Sequence, residues 1–89
     1  MIKVALITGG TRGIGLGISR ALAAEGFDLA LNGQRAEPEV REVLNALSES
    51  GSDVIYCRGN LGDPEQRRSI WDQVLEHFGR VNLLVNNAG

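Results

Sequence analysis

Thr8-Gly9-Gly10-Thr11-Arg12-Gly13-Ile14-Gly15 follows directly on the apolar run Ile2 to Ile7 and directly precedes a helix-like stretch. A strand that delivers a glycine-rich turn into a helix is a ready receptor for a dinucleotide pyrophosphate. The glycines let backbone approach the phosphates, and the helix start offers unpaired N–H groups and the positive end of its dipole. Other glycine loops fit less well. A P-loop needs Lys and then Ser or Thr straight after its last glycine, whereas Gly15 is followed by Leu16 and Gly17. The spacing is T-G-x-x-x-G-x-G, not G-x-G-x-x-G.

On the C-terminal side of this turn, strand and helix patterns continue to alternate. Ile2 to Ile7 reads as a strand buried on both faces of a parallel sheet. A first helix runs from Gly13 to Glu25, with Ile14, Ile18 and Leu22 at i, i+4 and i+8, Ala21 beside them, and Gly26 closing it. Leu29 to Leu31 is a short second strand. Pro38 early, Val40, Val43, Leu44 and Leu47 in period, and Gly51 late mark a second helix. Val54 to Cys57 is the third strand. Asp63-Pro64-Glu65-Gln66 supplies an N-cap, a first-turn proline and a capping-box partner, opening a third helix. Its inner side is expected to carry Ile70, Trp71, Val74, Leu75 and Phe78, and Gly79 ends it before a fourth strand, Val81 to Val85.

Such alternation implies right-handed βαβ crossovers and an α/β, Rossmann-type doubly wound parallel sheet of strand order 3-2-1-4. In that order the fourth strand is an edge with an interior strand's composition, so further strands are expected beyond Gly89. Residues 1–89 therefore read as the N-terminal half of a single dinucleotide-binding domain.

Composition is that of an ordinary globular protein, 43% hydrophobic and 22% charged, with a formal net charge of −2. Lys3 is the sole lysine, and the arginines are scattered, so charge points to no nucleic-acid or membrane partner. No apolar stretch reaches the about 18 residues of a membrane span, and a strand begins at the N-terminus where a signal peptide would lie, which makes a cytoplasmic location the expectation. Cys57 lacks a disulfide partner and reads as a buried strand residue, and His77 reads as a surface residue suited to a helix C-terminus. No metal site is expected from this pair.

Thr8-Gly9-x-x-x-Gly13-x-Gly15, Asn60-Leu61-Gly62-Asp63-Pro64 after strand three and Asn86-Asn87-Ala88-Gly89 after strand four together resemble the short-chain dehydrogenase/reductase family, in its order and spacing. Within it, the stretch Thr8 to Gly17 and the segment Phe78-Gly79-Arg80-Val81 look most like the 3-oxoacyl-acyl-carrier-protein reductases. The resemblance implies a cytoplasmic oligomer, a dimer or tetramer, that moves hydride between a nicotinamide and a small carbonyl substrate, possibly carried on acyl carrier protein as in fatty acid synthesis. The family's catalytic serine and Tyr-x-x-x-Lys lie downstream of the Asn-Asn-Ala-Gly motif, so no catalytic residue falls within these 89 residues.

For the cofactor, the resemblance implies a pyrophosphate over Gly9, Thr11, Arg12, Gly13 and Gly15, with Ile14 covering it. After strand two, Asn32-Gly33-Gln34-Arg35 occurs with no acid between Asp28 and Glu37, where an NAD enzyme carries a carboxylate for the ribose hydroxyls. Arg12 and Arg35 are then available to a 2′-phosphate, which favours NADP over NAD. Asn60 and the amide of Leu61 are expected at the adenine, and Asn87, Ala88 and Gly89 beside the ribose, while Asn86 is expected to tether neighbouring strands. The competing readings are a sugar or small-alcohol dehydrogenase of the same family, and a dinucleotide-binding module without chemistry.

Overall fold

The computed structural model describes residues 1–87; Ala88 and Gly89, both expected at the cofactor ribose, lie outside the described residues. In chain order the elements are β1 (Val4–Thr8), α1 (Gly13–Ala24), β2 (Asp28–Gly33), α2 (Glu37–Ser48), β3 (Val54–Arg58), α3 (Pro64–Phe78) and β4 (Leu83–Asn86). All strands pair in parallel, in the order β3-β2-β1-β4. The sheet thus has the order read from the alternation of patterns.

The two faces of the sheet build two cores. Ala5, Ile7, Leu29 and Leu31 point to one side and pack with Val40, Leu44 and Leu47 of α2 and Ala23 of α1. Leu6, Ala30 and Cys57 point to the other side and meet Ile70 and Val74 of α3. Successive right-handed crossovers from β1 to β3 keep α1 and α2 on one face, and the reversal from β3 to β4 carries α3 to the other. Burial on both faces explains the nearly continuous apolar runs of β1 and β2; each fully buried Leu or Ile contributes about 1.5–3 kcal/mol of transfer free energy. Among the described residues no helix is long and apolar enough to cross a membrane.

The inner face of α1 differs from the expected one. Its buried residues are Gly15, Ser19 and Ala23, and Ile14 is 79% exposed. The i, i+4, i+8 period is retained but shifted by one residue onto small side chains, because α1 lies too close to the glycine loop for larger ones. Leu16 and Leu22 flank that stripe and pack against the core. On α3, Ile70 and Val74 are buried and Trp71 and Phe78 partly so, but Leu75 faces outward.

Strand ends differ too, for reasons that lie in side-chain hydrogen bonding. Ile2 is exposed and unpaired in the sheet, and β1 begins at Val4. Asn82 feeds the start of β4: its amide donates to Val4 O and its side-chain oxygen accepts from Val4 N, both at 2.8 Å, so regular pairing begins at Leu83, not Val81. Leu83 and Leu84 are exposed along the β4 edge.

The caps divide the helices. Asp63 caps α3 by accepting from Glu65 N at 3.0 Å, and hydrogen bonds from the Gln66 side chain and Glu65 N hold its carboxyl below the usual aspartate range. Gln66 does not return to the Asp63 amide as a capping box would; its Oε1 accepts from Asn60 N at 2.7 Å. In α2, Glu39 reaches back to Ala36 N at 2.9 Å. Gly26 and Gly79 adopt positive φ at helix ends, as their sequence positions imply.

Cys57 is fully buried, and burial pushes its thiol up to about 11 from 9.0. The folded chain therefore keeps a proton that the unfolded chain loses as pH rises above 9, so this contribution to stability is intact below pH 9 and declines toward pH 11. Urea unfolding midpoints of wild type and Cys57→Ala at pH 8 and pH 10.5 check this: the wild type is expected to lose more stability between the two pH values than the variant does.

Candidate functional site

The glycine loop is the junction at which β1, β2, β4 and α1 meet. Gly9 N donates to Asn32 O at 2.8 Å, which ties the loop to the end of β2. Gly9 and Gly13 have φ of 64° and 57°, a region in which side chains are strained. At Gly15 a Cβ would lie 1.9 Å from Gly9 O and 2.7 Å from Asn87 Nδ2, so only glycine allows α1 to start this close to the loop. The Ser19 hydroxyl then lies 2.9 Å from both Gly10 O and Gly15 O and shares its single proton between them. Removing the side chain at Gly15 and placing a small hydroxyl one turn later are two halves of one closure.

The β4 end is tied in by Thr8 and Asn87. Thr8 Oγ1 accepts from Asn87 N at 2.9 Å, and Asn87 Nδ2 donates to Gly9 O at 3.3 Å. Asn86 contributes less, its Oδ1 standing 3.5 Å from Thr8 Oγ1. Asn86 still tethers β4 to β1, as expected of it, and Asn87 extends the tie, its side chain turning toward the glycine loop.

On the far side, buried Asn32 donates from Nδ2 to Cys57 O at 2.9 Å and Gly59 O at 3.1 Å, fastening the ends of β2 and β3. Arg35 Nη2 donates to Thr11 Oγ1 at 2.9 Å and Thr11 O at 3.3 Å. Tyr56 Oη donates to Arg35 O at 2.7 Å; burial raises its pKa above the ordinary tyrosine value, partly opposed by Arg35 and Arg58, so the phenol remains a donor at neutral pH. Asn60 Oδ1 accepts from Gly62 N at 2.9 Å, forming a local turn.

These segments enclose a cleft of about 780 Å³ at the C-terminal ends of the strands, where the sheet order reverses. Gly9, Thr11, Arg12, Gly13, Gln34, Arg35, Asn60, Leu61 and Asn87 all border it. Ile14 stands exposed at the first turn of α1, and Gly15 is buried behind the loop. Its rim carries two guanidiniums and, among the described residues, no carboxylate. The start of α1 also lacks a side-chain cap and a first-turn acid, whereas α2 and α3 have Glu37, Glu39, Asp63 and Glu65 at theirs. The positive end left without a carboxylate is the one beside the cleft, which suits a phosphate. The donor amides, small residues and guanidiniums therefore fit a dinucleotide.

Asn32, Ser19, Tyr56 and Gln66 escaped the sequence reading as site-building residues. Asn32 had a signal, a polar side chain between an apolar strand and Gly33; the others are partnered by residues remote in sequence or by loop geometry. His77 lies away from the cleft and pairs with Asp53 at 2.8 Å on the surface.

A short chain dehydrogenase family model matches residues 3–89, and the chain belongs to that family. It is 37% identical over 87 residues to a versicolorin reductase from Emericella nidulans, covering 98% of this chain and 33% of that protein. A 3-oxoacyl-[acyl-carrier protein] reductase from Brucella melitensis, solved in complex with NAD, superposes with a TM-score of 0.91 at 43% identity, over 100% of this chain and 34% of that one. L-sorbose reductase from Gluconobacter frateurii, complexed with NADPH and L-sorbose, gives a TM-score of 0.93 at 35% identity, over 99% and 34%. The chain spans about a third of the length of the curated relatives it matches.

The crowding at Gly15 generates a prediction. Gly15→Ala should destabilise the protein by about 1–3 kcal/mol through backbone overlap. Gly17→Ala, with nothing within 4 Å of its Cβ, should stabilise α1 by about 0.5–1 kcal/mol. Denaturant unfolding of both variants reads the opposite signs.

Proposed function

We propose that the protein is an NADP-dependent carbonyl reductase, residues 1–89 being the cofactor-binding half of its dinucleotide domain. The observation that carries the cofactor assignment is the pair Arg12 and Arg35 on a cleft rim with no carboxylate among the described residues. A 2′-phosphate gains charge-assisted hydrogen bonds from such a rim and meets no like charge. Relatives are solved with NAD and with NADPH, so the local residues, not the family, carry this choice.

In this reading the amides at the start of α1 bind the pyrophosphate, and Gly13 leaves room for it. Ile14, exposed at the first turn, covers the dinucleotide from outside. Asn60 and the Leu61 amide hold the adenine, while Asn87, with Ala88 and Gly89, flanks the ribose. Gln34 borders the 2′-phosphate pocket beside Arg35. The bound cofactor supplies the hydride that reduces a ketone. This half of the domain holds the carrier in place. A 3-oxoacyl thioester is the substrate favoured by the likeness of the glycine loop and the Phe78-Gly79-Arg80-Val81 segment to 3-oxoacyl-acyl-carrier-protein reductases.

Cofactor titrations test the first part. Arg12→Ala and Arg35→Ala should each weaken NADPH binding by about 10- to 100-fold, the loss of a charge-assisted contact of about 1.5–3 kcal/mol, and leave NADH binding unchanged. Equal affinity of the wild type for both cofactors would contradict the assignment. NADPH oxidation with acetoacetyl thioester or with L-sorbose as acceptor tests the second part, with faster turnover of the thioester expected.

A further inference from the structure

We propose that Tyr56 is a positioning residue for cofactor selection: its hydroxyl fixes the turn after β2 so that Arg35, braced on Thr11, presents the remainder of its guanidinium to the cofactor 2′-phosphate. The inference rests on the NADP reading above and adds to it the device that makes Arg35 effective.

Tyr56 stands opposite Leu31 in the β2–β3 register, one step before the strands reach the cleft. From there its hydroxyl reaches Arg35 O at 2.7 Å. Two residues on, Arg58 Nε donates to Gln34 O at 3.0 Å. Consecutive carbonyls of the turn are therefore both held by side chains of β3. Gly33 provides the space, since a Cβ there would stand 3.0 Å from Tyr56 Oη and 3.6 Å from Thr11 Oγ1.

At the other end of the same residue, Arg35 Nη2 is engaged by Thr11, which is itself buried in the glycine loop. A guanidinium has five N–H donors. The three on Nε and Nη1 have no partner among the described residues and remain for an anion. Backbone and head group of Arg35 are thus both fixed before any ligand arrives. A side chain ordered in advance loses less freedom on binding, and that advantage is felt only by a ligand that uses it. NADPH has the 2′-phosphate; NADH does not.

The test is the dissociation constants of NADPH and NADH, measured by calorimetry on the full-length protein for wild type, Tyr56→Phe, Arg35→Ala and the double variant. Loss of one hydrogen bond predicts an about 3- to 10-fold weakening of NADPH in Tyr56→Phe, with NADH unchanged. In the Arg35→Ala background, Tyr56→Phe should weaken NADPH no further. Equal weakening of both cofactors would make Tyr56 merely structural, and unchanged NADPH binding would remove its role; either overturns the proposal. If Tyr56→Phe fails to fold, Thr11→Val and Thr11→Ser read the other end of the brace: the valine should lose NADPH preference and the serine keep it, and equal behaviour overturns the proposal. Should Arg35→Ala itself leave NADPH binding intact, the NADP reading fails and this inference with it. Should Arg35→Ala weaken NADPH while Tyr56→Phe spares it, this inference alone fails.

Discussion

The carbonyl oxygen of Gly9 occupies the space in which residue 15 would carry a side chain, 1.9 Å from the position of a Cβ. This contact between loop and helix governs what surrounds it. It lets α1 begin directly against the end of β1, shifts the helix's inner stripe onto Gly15, Ser19 and Ala23, and leaves Ile14 outside. It also sets Ser19 where its hydroxyl can serve Gly10 O and Gly15 O together. A helix held farther off could use larger core residues, but its first amides would retreat from the cleft.

Electrostatics follow from the same placement. The starts of α2 and α3 have acidic residues in or before their first turns, so their dipoles are answered within the protein. The α1 start has none, and Arg12 and Arg35 add positive charge to the same rim. A chain of net charge −2 has thus kept carboxylates away from one location. Stability alone gives no reason for that distribution; an anionic ligand does.

Strand order, helix number and the glycine turn were legible because each depends on local pattern: continuous apolar runs in β1 and β2, period-3.6 stripes in α2 and α3, and glycines where φ turns positive. What stayed hidden depends on contacts between distant segments. A hydrophobic period cannot reveal that α1 turns Gly15, not Ile14, inward, because the reason is the approach of Gly9. Nor could spacing pair Tyr56 with Arg35, Asn82 with Val4 or Gln66 with Asn60. Asn86 and Asn87 are adjacent and chemically identical, and only the direction of the chain leaving β4 turns the Asn87 side chain to Gly9 O of the loop. The cleft residues themselves were legible as a group because the three motifs all fall at the C-terminal ends of strands, which a parallel sheet brings to one edge.

In the proposed function the glycine loop and the start of α1 hold a dinucleotide whose 2′-phosphate is taken by Arg12 and Arg35. A crystal structure of the full-length protein with NADPH tests it most directly. The expected result is the pyrophosphate against the amides of Arg12 to Gly15 and the 2′-phosphate within hydrogen-bond reach, about 3 Å, of both guanidiniums, with the Arg35–Thr11 contact retained. A pyrophosphate lying away from the start of α1, or a 2′-phosphate facing solvent with neither arginine in reach, would contradict it.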